Sequence, residues 1–473
     1  MKVVLIRPPR IRGAIEKVLI QQPINLAYIA SYLMGSGYEV EVWDYEVQKL
    51  EPNSLNRQLQ LANPKAIGIT CMTPTVNNAH NVATLIKRYN PDIKIVLGGP
   101  HASALPQRTL LEFASFDAVV IGEGEITFKE VCQKIEAGES LKGVRGIAYR
   151  ENGDIKIEEK RSNIENLDSL PYPARNILNR NLYYGIPSFG LNYDFQNKTE
   201  IFTSRGCLYR CSFCTISNTL GPKIRFRTVE NVIGEIEQCK NQYGYNHIGF
   251  EDPNFTSDTK RLQDICQGLK EINVTWNCQT RVDMVNREIL RMMADCGCKK
   301  IAYGVESGSP RILKLIHKDI NPSQIISAFR WSKEFGILTC AFLMVGSHPS
   351  ETKEDIEMTK DLIKRIQPDV FQLTIAVPYP GSELYNIMKN RDYLEEEDWT
   401  KFNFMHSLPK WHTEYFSPKQ LVQIQKSIYL SYYISNLGLI PHLIKEKISW
   451  SKIVYWFNLF KGVSKFLFFE KRN

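Results

Sequence analysis

The 473-residue sequence has no long hydrophobic run and only eight histidines. It contains no uninterrupted stretch of about 18 apolar residues, which a transmembrane helix would require. Its first residues lead directly into a strand-like segment, residues 2–7, and not into a secretory leader with a small-residue cleavage site. We therefore expect a cytoplasmic protein whose eleven cysteines are reduced, and association with a membrane surface stays open.

Two further features narrow the choice of function. No G-x-G-x-x-G segment follows the first predicted strand, so binding of an NAD-type dinucleotide is not expected. The net charge is only +8, which suits an anionic ligand or surface and gives no reason to expect a nucleic acid partner. The apolar fraction of 43% and the charged fraction of 23% are typical of a globular protein, which at this length has about two or three domains.

Residues 1–150 alternate between predicted strands and helices. Strands are predicted at 2–7, 39–43, 66–70, 94–97 and 118–121, and helices at 26–35, 55–62, 77–89, 109–114 and 125–137. This alternation predicts an α/β domain with a doubly wound, Rossmann-like parallel sheet, in which ligands bind beyond the carboxyl ends of the strands. Candidate ligand-binding residues follow three of these strands: Thr70, Cys71, Met72, Thr73, Gly98, Gly99, Pro100, His101, Gly122, Glu123, Gly124 and Glu125.

Three further regions follow this domain. Residues 151–198 are interpreted as a connector, in which Asn152-Gly153 predicts a hairpin turn. Residues 199–395 again alternate, with strands predicted at 200–203, 247–251, 274–278, 300–304, 338–344 and 370–375. A closed eight-unit barrel would require more chain than these six units supply, and the family resemblance given below implies a partial (β/α)6 barrel. Residues 396–473 are expected to form a helical, aromatic-rich C-terminal region, with Ser417 capping a helix that runs to about Ser435.

Three cysteines on a short loop after the first barrel strand are the strongest local signal. Cys207, Cys211 and Cys214 have the spacing C-x3-C-x2-C. Thiolates hold iron–sulfur clusters, and a [4Fe–4S] cluster normally has four ligands, so three cysteines indicate a cluster with one iron left open. A zinc site or three unrelated thiols is the alternative. Zinc sites usually combine two cysteine pairs or add histidines, and no histidine lies between residues 200 and 246.

This cysteine motif resembles that of the radical S-adenosylmethionine (SAM) superfamily. The resemblance implies that the open iron binds the amino and carboxylate groups of SAM, and that an electron from the cluster cleaves SAM to a 5′-deoxyadenosyl radical. It also implies that residues following successive barrel strands bind SAM: Phe213, Glu251, Asp252, Arg281, Glu306, Ser307, Val345 and Gly346. The pair Cys296 and Cys298 offers too few ligands for a second cluster, so a single cluster is expected.

The resemblance gives these SAM-binding candidates separate roles. Phe213 is expected near the adenine, Arg281 at the SAM carboxylate and Glu306 at the ribose hydroxyls. Either Glu251 or Asp252 would hold the amino group, and a solvated acidic turn is the alternative for this pair. The backbone at Val345 and Gly346 would support the adenine, and His348 in the same loop is a candidate for reaching the substrate instead.

The loops ending in Gly98-Gly99-Pro100-His101 and Gly122-Glu123-Gly124-Glu125 resemble those of the cobalamin-binding domain in B12-dependent radical SAM enzymes. The resemblance implies a bound cobalamin whose nucleotide tail lies in the sheet crevice. The motif D-x-H-x-x-G, which supplies an axial histidine in another cobalamin class, is absent. His101 is therefore interpreted as fixing its loop, with axial ligation of cobalt as the alternative. Some members of this family have lost cobalamin.

In that family, cobalamin together with SAM most often means methylation of an unactivated carbon. The resemblance thus implies a methyltransferase, with flavodoxin or ferredoxin as electron donor. The aromatic, basic C-terminal region favours a large, apolar substrate such as a lipid or a tetrapyrrole. A radical SAM cyclase or carbon–carbon bond-forming enzyme is one alternative, and a non-catalytic cobalamin or cluster sensor is another. The segment 448–469, where aromatic residues alternate with lysines, is interpreted as a helical cap over the barrel mouth or as an amphipathic, membrane-contacting segment.

Overall fold

The computed structural model describes residues 1–10, 20–183, 197–395, 398–403 and 408–435. The first part of the chain forms one seven-stranded sheet, with the strand order β2-β1-β3-β4-β5-β6-β7. Its first five strands are parallel and the last two are antiparallel. The strands are β1 (Lys2–Arg7), β2 (Glu39–Asp44), β3 (Ala66–Thr70), β4 (Lys94–Gly98), β5 (Ala118–Val120), β6 (Ile147–Glu151) and β7 (Asp154–Ile157).

Helices cover both faces of this sheet, which confirms the predicted doubly wound α/β class. Val4 and Ile6 of β1 pack into one buried apolar cluster, whereas Val3 and Leu5 pack into another on the opposite face. The helices are α1 (Ile24–Met34), α2 (Pro52–Ala62), α3 (Val76–Tyr89), α4 (Pro100–Ala104), α5 (Pro106–Glu112) and α6 (Gly124–Ala137). Helix α4 was not expected; it begins where Pro100, with its fixed φ, occupies the first helical position.

The predicted hairpin turn at Asn152-Gly153 is confirmed and joins β6 to β7. Both residues have positive φ, 53° and 88°, as a type I′ turn requires. After β7 the chain runs through three short 3-10 turns to the second sheet. Arg175 in this stretch forms a buried ion pair with Glu235, at 2.7 Å, and thereby anchors the stretch to the helix layer of that sheet.

The second sheet contains six parallel strands in the order β15-β14-β13-β12-β11-β8. In the part of the chain described, β8 and β15 do not pair, so the barrel is open, as the six predicted units require. The strands are β8 (Lys198–Ile201), β11 (His247–Phe250), β12 (Thr275–Thr280), β13 (Cys298–Glu306), β14 (Leu338–Val345) and β15 (Val370–Ile375), with a small antiparallel ribbon of β9 (Ser204–Arg205) and β10 (Arg225–Phe226).

Nine helices of the described ranges accompany the second sheet. They are α7 (Ile216–Thr219), α8 (Val229–Tyr243), α9 (Thr259–Ile272), α10 (Arg287–Asp295), α11 (Pro310–Leu315), α12 (Pro322–Glu334), α13 (Lys353–Ile366), α14 (Glu383–Asn390) and α15 (Pro418–Ser435). None of the helices described is long and apolar enough to cross a membrane.

Helix α15 closes the open edge of β15. The Tyr429 hydroxyl accepts a hydrogen bond from the Leu373 N–H at 2.9 Å, and the Gln425 side chain donates to the Leu373 carbonyl at 2.8 Å. The Tyr429 ring also stacks on Phe371. The helix therefore satisfies backbone groups that an edge strand would otherwise leave unpaired. The segment 448–469, interpreted above as a cap or as an amphipathic segment, lies outside the described residues.

Candidate active site

The loop that carries the three cysteines has a tightly fixed backbone. Gly206 immediately precedes Cys207 and has a φ of 91°. A Cβ at Gly206 would lie 2.1 Å from the Lys223 carbonyl oxygen, so only glycine fits there. Further along, the Ser212 N–H donates to the Ile316 carbonyl at 3.1 Å. These contacts hold the loop between the β9–β10 ribbon and the end of α11.

The three thiols of this loop differ from the other cysteines in exposure. Cys207, Cys211 and Cys214 are partly exposed, whereas the other eight cysteines are buried. Burial raises the pKa of Cys214 to about 11 and also raises the pKa of Cys211, where the nearby charge of Lys318 opposes this rise. A bound metal deprotonates coordinating thiols, so metal binding would produce the thiolates despite the raised pKa of Cys211 and Cys214.

The chemistry of the donor set in this loop fits an iron–sulfur cluster. Across the described ranges, no three Cys, His, Asp or Glu side chains converge closely enough to hold one metal ion, as a zinc site would need. In a four-iron cluster each thiolate binds its own iron, so the thiols stand further apart. An all-cysteine donor set on a fixed, partly exposed loop therefore fits an iron–sulfur cluster.

The two adjacent carboxylates after β11 have different environments. Asp252 is fully buried, and its carboxylate accepts hydrogen bonds from the Thr203 N–H at 3.1 Å and from the Thr203 hydroxyl at 3.0 Å. It thus holds the chain that leads into the cysteine loop. Glu251 is partly exposed, and its carboxylate accepts a hydrogen bond from the Gln21 side chain at 3.3 Å. Burial, followed by the charge of Glu200, raises the pKa of Glu251 to about 7.

Arg281 after β12 reaches the cysteine loop, but its charge is largely engaged. Its guanidinium lies 3.7 Å from the centroid of the Tyr209 ring. Two of its nitrogens donate to the Asp283 carboxylate, each at 2.9 Å, and Nη2 also donates to the Lys318 carbonyl. Buried Nη1 has no hydrogen-bond partner among the described residues. Arg281 can therefore offer a ligand the two N–H groups of Nη1, and its role at the SAM carboxylate stays a prediction.

Glu306 at the end of β13 pairs with a lysine that the motif analysis missed. Its Oε1 lies 2.9 Å from the Lys318 Nζ, and both side chains are 8% exposed. Glu306 has a φ of 64°, and His317 and Asp319 on either side of Lys318 also have positive φ. The backbone is thus strained at three non-glycine positions around one buried ion pair. The pair lies close enough to Cys211 for both of its charges to act on the pKa of that thiol.

The remaining SAM-binding candidates have mainly structural contacts. Phe213 packs on the hydrophobic core, and Ser307 is buried, where its hydroxyl accepts a hydrogen bond from the Ser309 N–H. The Val345 carbonyl accepts from the Ala376 N–H at 2.9 Å. Gly346 donates its N–H to buried Glu351, whose pKa burial raises to about 8. This last contact fixes the turn that carries His348.

The carboxyl edge of the first sheet combines open space with close packing. A Cβ built on Gly98 would meet nothing within 4 Å, so a bulky ligand can approach the backbone there. Gly99 has a φ of 103°, and a Cβ there would lie 2.3 Å from the Cys71 carbonyl oxygen. Thr70 ends β3 opposite Gly98, and Met72 beyond it is 45% exposed. The edge therefore fits a large, flat cofactor beside Gly98 and Met72.

His101 is not at the surface of this edge. It is 1% exposed, and its Nδ1 lies 3.4 Å from the Thr73 hydroxyl. The ring of Trp399, from the C-terminal region, packs edge-on against it at 4.9 Å. Burial, followed by the charge of Arg108, lowers the pKa of His101 to about 4. These contacts support the interpretation that His101 fixes its loop.

The loop after β1 is a second feature that sequence reasoning missed. Strand order places β1 between β2 and β3, so the crevice at which the strand order reverses lies between β1 and β3. Pro9 in this loop accepts a hydrogen bond from the Asn78 side chain, and Arg10 lies 3.1 Å from Glu46. A Pro-Pro-Arg segment directly follows the first strand in the sequence. It can be recognised as part of the ligand crevice only when the strand order is known.

The carboxyl edges of the two sheets face each other, and the contact between α7 and α4 at these edges is called the seam here. Helix α7 begins two residues after Cys214 and packs against α4. A Cβ on Gly122 would lie 3.8 Å from the Thr219 carbonyl of α7, and one on Gly381 would lie 3.1 Å from the Ala104 side chain. The cysteine loop therefore lies directly beside the loops that follow β4 and β5.

Comparison with known proteins agrees with this architecture. Residues 15–132 match the B12 binding domain family, and residues 201–363 match the Radical SAM superfamily. The chain is 34% identical over 452 residues to an uncharacterized methyltransferase of Pyrococcus horikoshii, covering 94% of this chain and 95% of that protein. It is 28% identical to the anaerobic magnesium-protoporphyrin IX monomethyl ester cyclase of Rubrivivax gelatinosus, covering 87% of this chain and 74% of that protein.

A solved structure shows the same fold. The radical SAM methyltransferase TsrM from Kitasatospora setae, with cobalamin and a [4Fe–4S] cluster bound, superposes with a TM-score of 0.68 at 19% identity, covering 82% of this chain and 75% of that one. Fold and site together define a SAM-dependent radical enzyme with an iron–sulfur cluster. The chain belongs to the family of cobalamin-dependent radical SAM enzymes, which includes methyltransferases and cyclases. The predicted family and cofactors are thereby confirmed.

Proposed function

We propose that this enzyme methylates an unactivated carbon of a small-molecule substrate bound between its two sheets. The observation that carries the proposal is the seam at which α7, directly after the cysteine loop, packs against α4 at the carboxyl edge of the first sheet. This contact supports a substrate bound between the cobalamin side and the SAM side. When bound, the cluster with SAM supplies radical chemistry and cobalamin supplies a methyl group.

The chain's own residues would bind, orient and shield these groups. Cys207, Cys211 and Cys214 would hold the cluster, each through its thiolate. Glu251 would accept hydrogen bonds from the SAM amino group, since its carboxylate is less fully engaged than that of Asp252. Glu306 would accept from the ribose hydroxyls while Lys318 fixes its orientation.

The barrel interior favours a substrate with polar groups near the reacting carbon. Along β15, Phe371 and Leu373 face α15, so Gln372 and Thr374 point to the opposite, inner face, where they are partly exposed. Strand β12 alternates in the same way and leaves Asn277 partly exposed. Asn277 Oδ1 is paired with His247 Nε2 at 2.8 Å and the Thr374 hydroxyl donates to the Leu343 carbonyl at 3.4 Å. The Gln372 amide and the Asn277 NH2 group are therefore the groups there that can hydrogen-bond a substrate.

Anaerobic reconstitution with iron, sulfide and cobalamin, followed by SAM carrying a deuterated methyl group and a reductant, tests this proposal. We expect a corrin absorption spectrum, formation of 5′-deoxyadenosine and deuterated methyl in the corrin fraction. Absence of 5′-deoxyadenosine from the reconstituted protein would contradict an enzymatic function and favour a sensor. We further propose a flavodoxin or ferredoxin as the natural reductant, which the same assay tests in place of a chemical one.

A cyclase that forms a ring on its substrate is the second candidate function. It is favoured by the relative of 28% identity, which is named as a magnesium-protoporphyrin IX monomethyl ester cyclase. The assay separates the two candidates, because a cyclase would form 5′-deoxyadenosine without placing the deuterated methyl group on the corrin.

Replacing His101 with asparagine is expected to lower thermal stability without changing the cobalt environment. The ring is buried against Trp399 and Thr73, so its loss leaves a gap in the packing. Electron paramagnetic resonance of bound cob(II)alamin should show no nitrogen coupling from a histidine in either the wild type or the variant. Nitrogen coupling that disappears in the variant would instead identify His101 as an axial ligand.

Replacing Glu251 with glutamine is expected to stabilise the cofactor-free protein at about pH 8 and to have little effect at about pH 4. Burial raises the folded pKa from 4.5 to about 7, so the unfolded state binds fewer protons between these values. Folding stability therefore falls as the pH rises from 4.5 to about 7 and then levels off. Partial exposure limits the gain at high pH to about 2 kcal/mol. Denaturant unfolding across this range would measure it, and an equal gain at both pH values would contradict the assignment.

A further inference from the structure

Two glutamates of the segment Gly122–Glu125 reach across the seam to two arginines of the β9–β10 ribbon. The Glu123 carboxylate accepts hydrogen bonds from Arg205 Nη1 at 2.9 Å and from Arg225 Nη1 at 2.8 Å. Glu125 Oε1 accepts from Arg205 Nη2 at 2.5 Å. Both glutamates were expected at the cobalamin site, but their carboxylates face the ribbon that carries the cysteine loop.

The four side chains form a buried, charge-balanced group. The side chains of Glu123, Glu125, Arg205 and Arg225 are 4%, 5%, 14% and 3% exposed. Burial alone would raise the pKa of Glu123, but the hydrogen bond from Arg225 and the charge of Arg205 hold it below its usual range. Removing one member would leave a charge buried without its partner, and this is strongly destabilising.

The same group is continuous with the backbone that fixes the cysteines. Arg205 pairs with Arg225 across the ribbon and is followed directly by Gly206 and Cys207. The guanidinium of Arg225 also donates to the carbonyls of Leu220 and Ile164, at 2.7 and 2.6 Å. A shift of the two arginines would therefore move the start of the cysteine loop.

We propose that Glu123, Glu125, Arg205 and Arg225 form an ionic latch that fixes the cysteine loop against the carboxyl edge of the first sheet. The glutamates are positioning residues that set the place of the cluster relative to the cobalamin; they are not cobalamin ligands. This inference rests on the proposed pair of cofactors and does not depend on the identity of the substrate. The partners in each latch hydrogen bond lie 80 or more positions apart in the chain. The latch therefore joins the two sheets and is not part of a local turn.

The test compares Glu123→Gln and Glu125→Gln with a matched control, Glu165→Gln. Glu165 pairs with Lys223 of the same region at 3.4 Å, but both side chains are more than 70% exposed. Hydrogen exchange of residues 204–226 should become at least about tenfold faster in Glu123→Gln, less so in Glu125→Gln, and stay unchanged in Glu165→Gln. Corrin content after reconstitution should stay at the wild-type level in all three variants.

The separation of the cluster and cob(II)alamin, measured by spectroscopy, distinguishes a positioning role of the latch from a general loss of stability. The effect of the reduced cluster on the spin relaxation of cob(II)alamin depends on their separation, and it should be altered or broadened in Glu123→Gln and unchanged in the control. If Glu123→Gln fails to fold, Arg225→Lys keeps the charge while losing the forked geometry, and it should show the same direction of change. Loss of corrin with unchanged exchange at 204–226 would overturn the latch. If the wild type binds no corrin, the proposed function fails, while exchange in the cofactor-free variants still tests the latch.

Discussion

Replacing Cys214 with alanine is expected to abolish iron–sulfur binding and SAM cleavage while leaving the protein folded. The three thiolates proposed to hold the cluster would leave one iron open, so no protein ligand would be left to replace a lost one. The Cys214 side chain is partly exposed and the loop is fixed by backbone bonds, such as that from the Ser212 N–H to Ile316, which alanine preserves. Iron and sulfide analysis after anaerobic reconstitution, with 5′-deoxyadenosine formation, measures the loss.

Cys132→Ala is the matched control for this prediction. Cys132 is a fully buried thiol of α6, and it packs in the apolar cluster that contains Val3 and Leu5 of the first sheet. Its replacement should cost about 1 kcal/mol of stability through the lost packing and leave iron binding intact. If Cys214→Ala retained full iron and produced 5′-deoxyadenosine, Cys207 and Cys211 would need another partner, and the proposed ligand set would be wrong.

The fold could be predicted from the sequence because each element carries its own local signal. The apolar runs at 300–304 and 338–344 predicted β13 and β14 within two residues at each end. Glycine and proline marked most of the turns. The order of strands was not predictable, because it depends on contacts between segments far apart in the chain. For this reason the loop after β1, at Pro9 and Arg10, was overlooked.

In the candidate site too, features set by neighbouring residues could be predicted from the sequence, whereas features set by contacts between distant residues could not. The cysteine spacing is local and could be recognised directly. Whether Glu251 or Asp252 faces a ligand depends on Thr203, about fifty residues earlier, which occupies the Asp252 carboxylate. In the same way, the availability of Glu123 for a ligand depends on Arg205, 82 positions later, which donates to its carboxylate. Sequence identified the chemistry of the site, and packing decided which side chains remain available for it.

Lys318 shows how a residue outside every recognised motif can belong to the site. It follows α11 in the segment His317-Lys318-Asp319, which resembles an exposed charged turn in the sequence. Positive φ at both neighbours directs the chain so that the Lys318 side chain is buried against Glu306. Gly304 makes room for this contact, since a Cβ there would lie 2.6 Å from both the Glu306 Oε1 and the Lys318 Nζ.

Replacing Lys318 with methionine is therefore expected to destabilise the cofactor-free protein by about 3–5 kcal/mol, because it leaves the Glu306 carboxylate buried without its partner. Denaturant unfolding measures this loss. Arg287→Met is the matched control: Arg287 pairs with Glu334 on the surface, where the side chains are 61% and 39% exposed, and its loss should leave the denaturation midpoint nearly unchanged.

The double variant Glu306→Gln with Lys318→Met separates stability from ligand binding. Removing both charges leaves no unpaired ion, so most of the stability lost in Lys318→Met should return. Binding of SAM to the reconstituted protein should nevertheless stay at least about tenfold weaker than in the wild type, because the carboxylate proposed to accept from the ribose hydroxyls is gone. Equilibrium binding measures this difference. Wild-type affinity in the double variant would show that the buried pair only supports the fold, and it would remove Glu306 from the proposed SAM site.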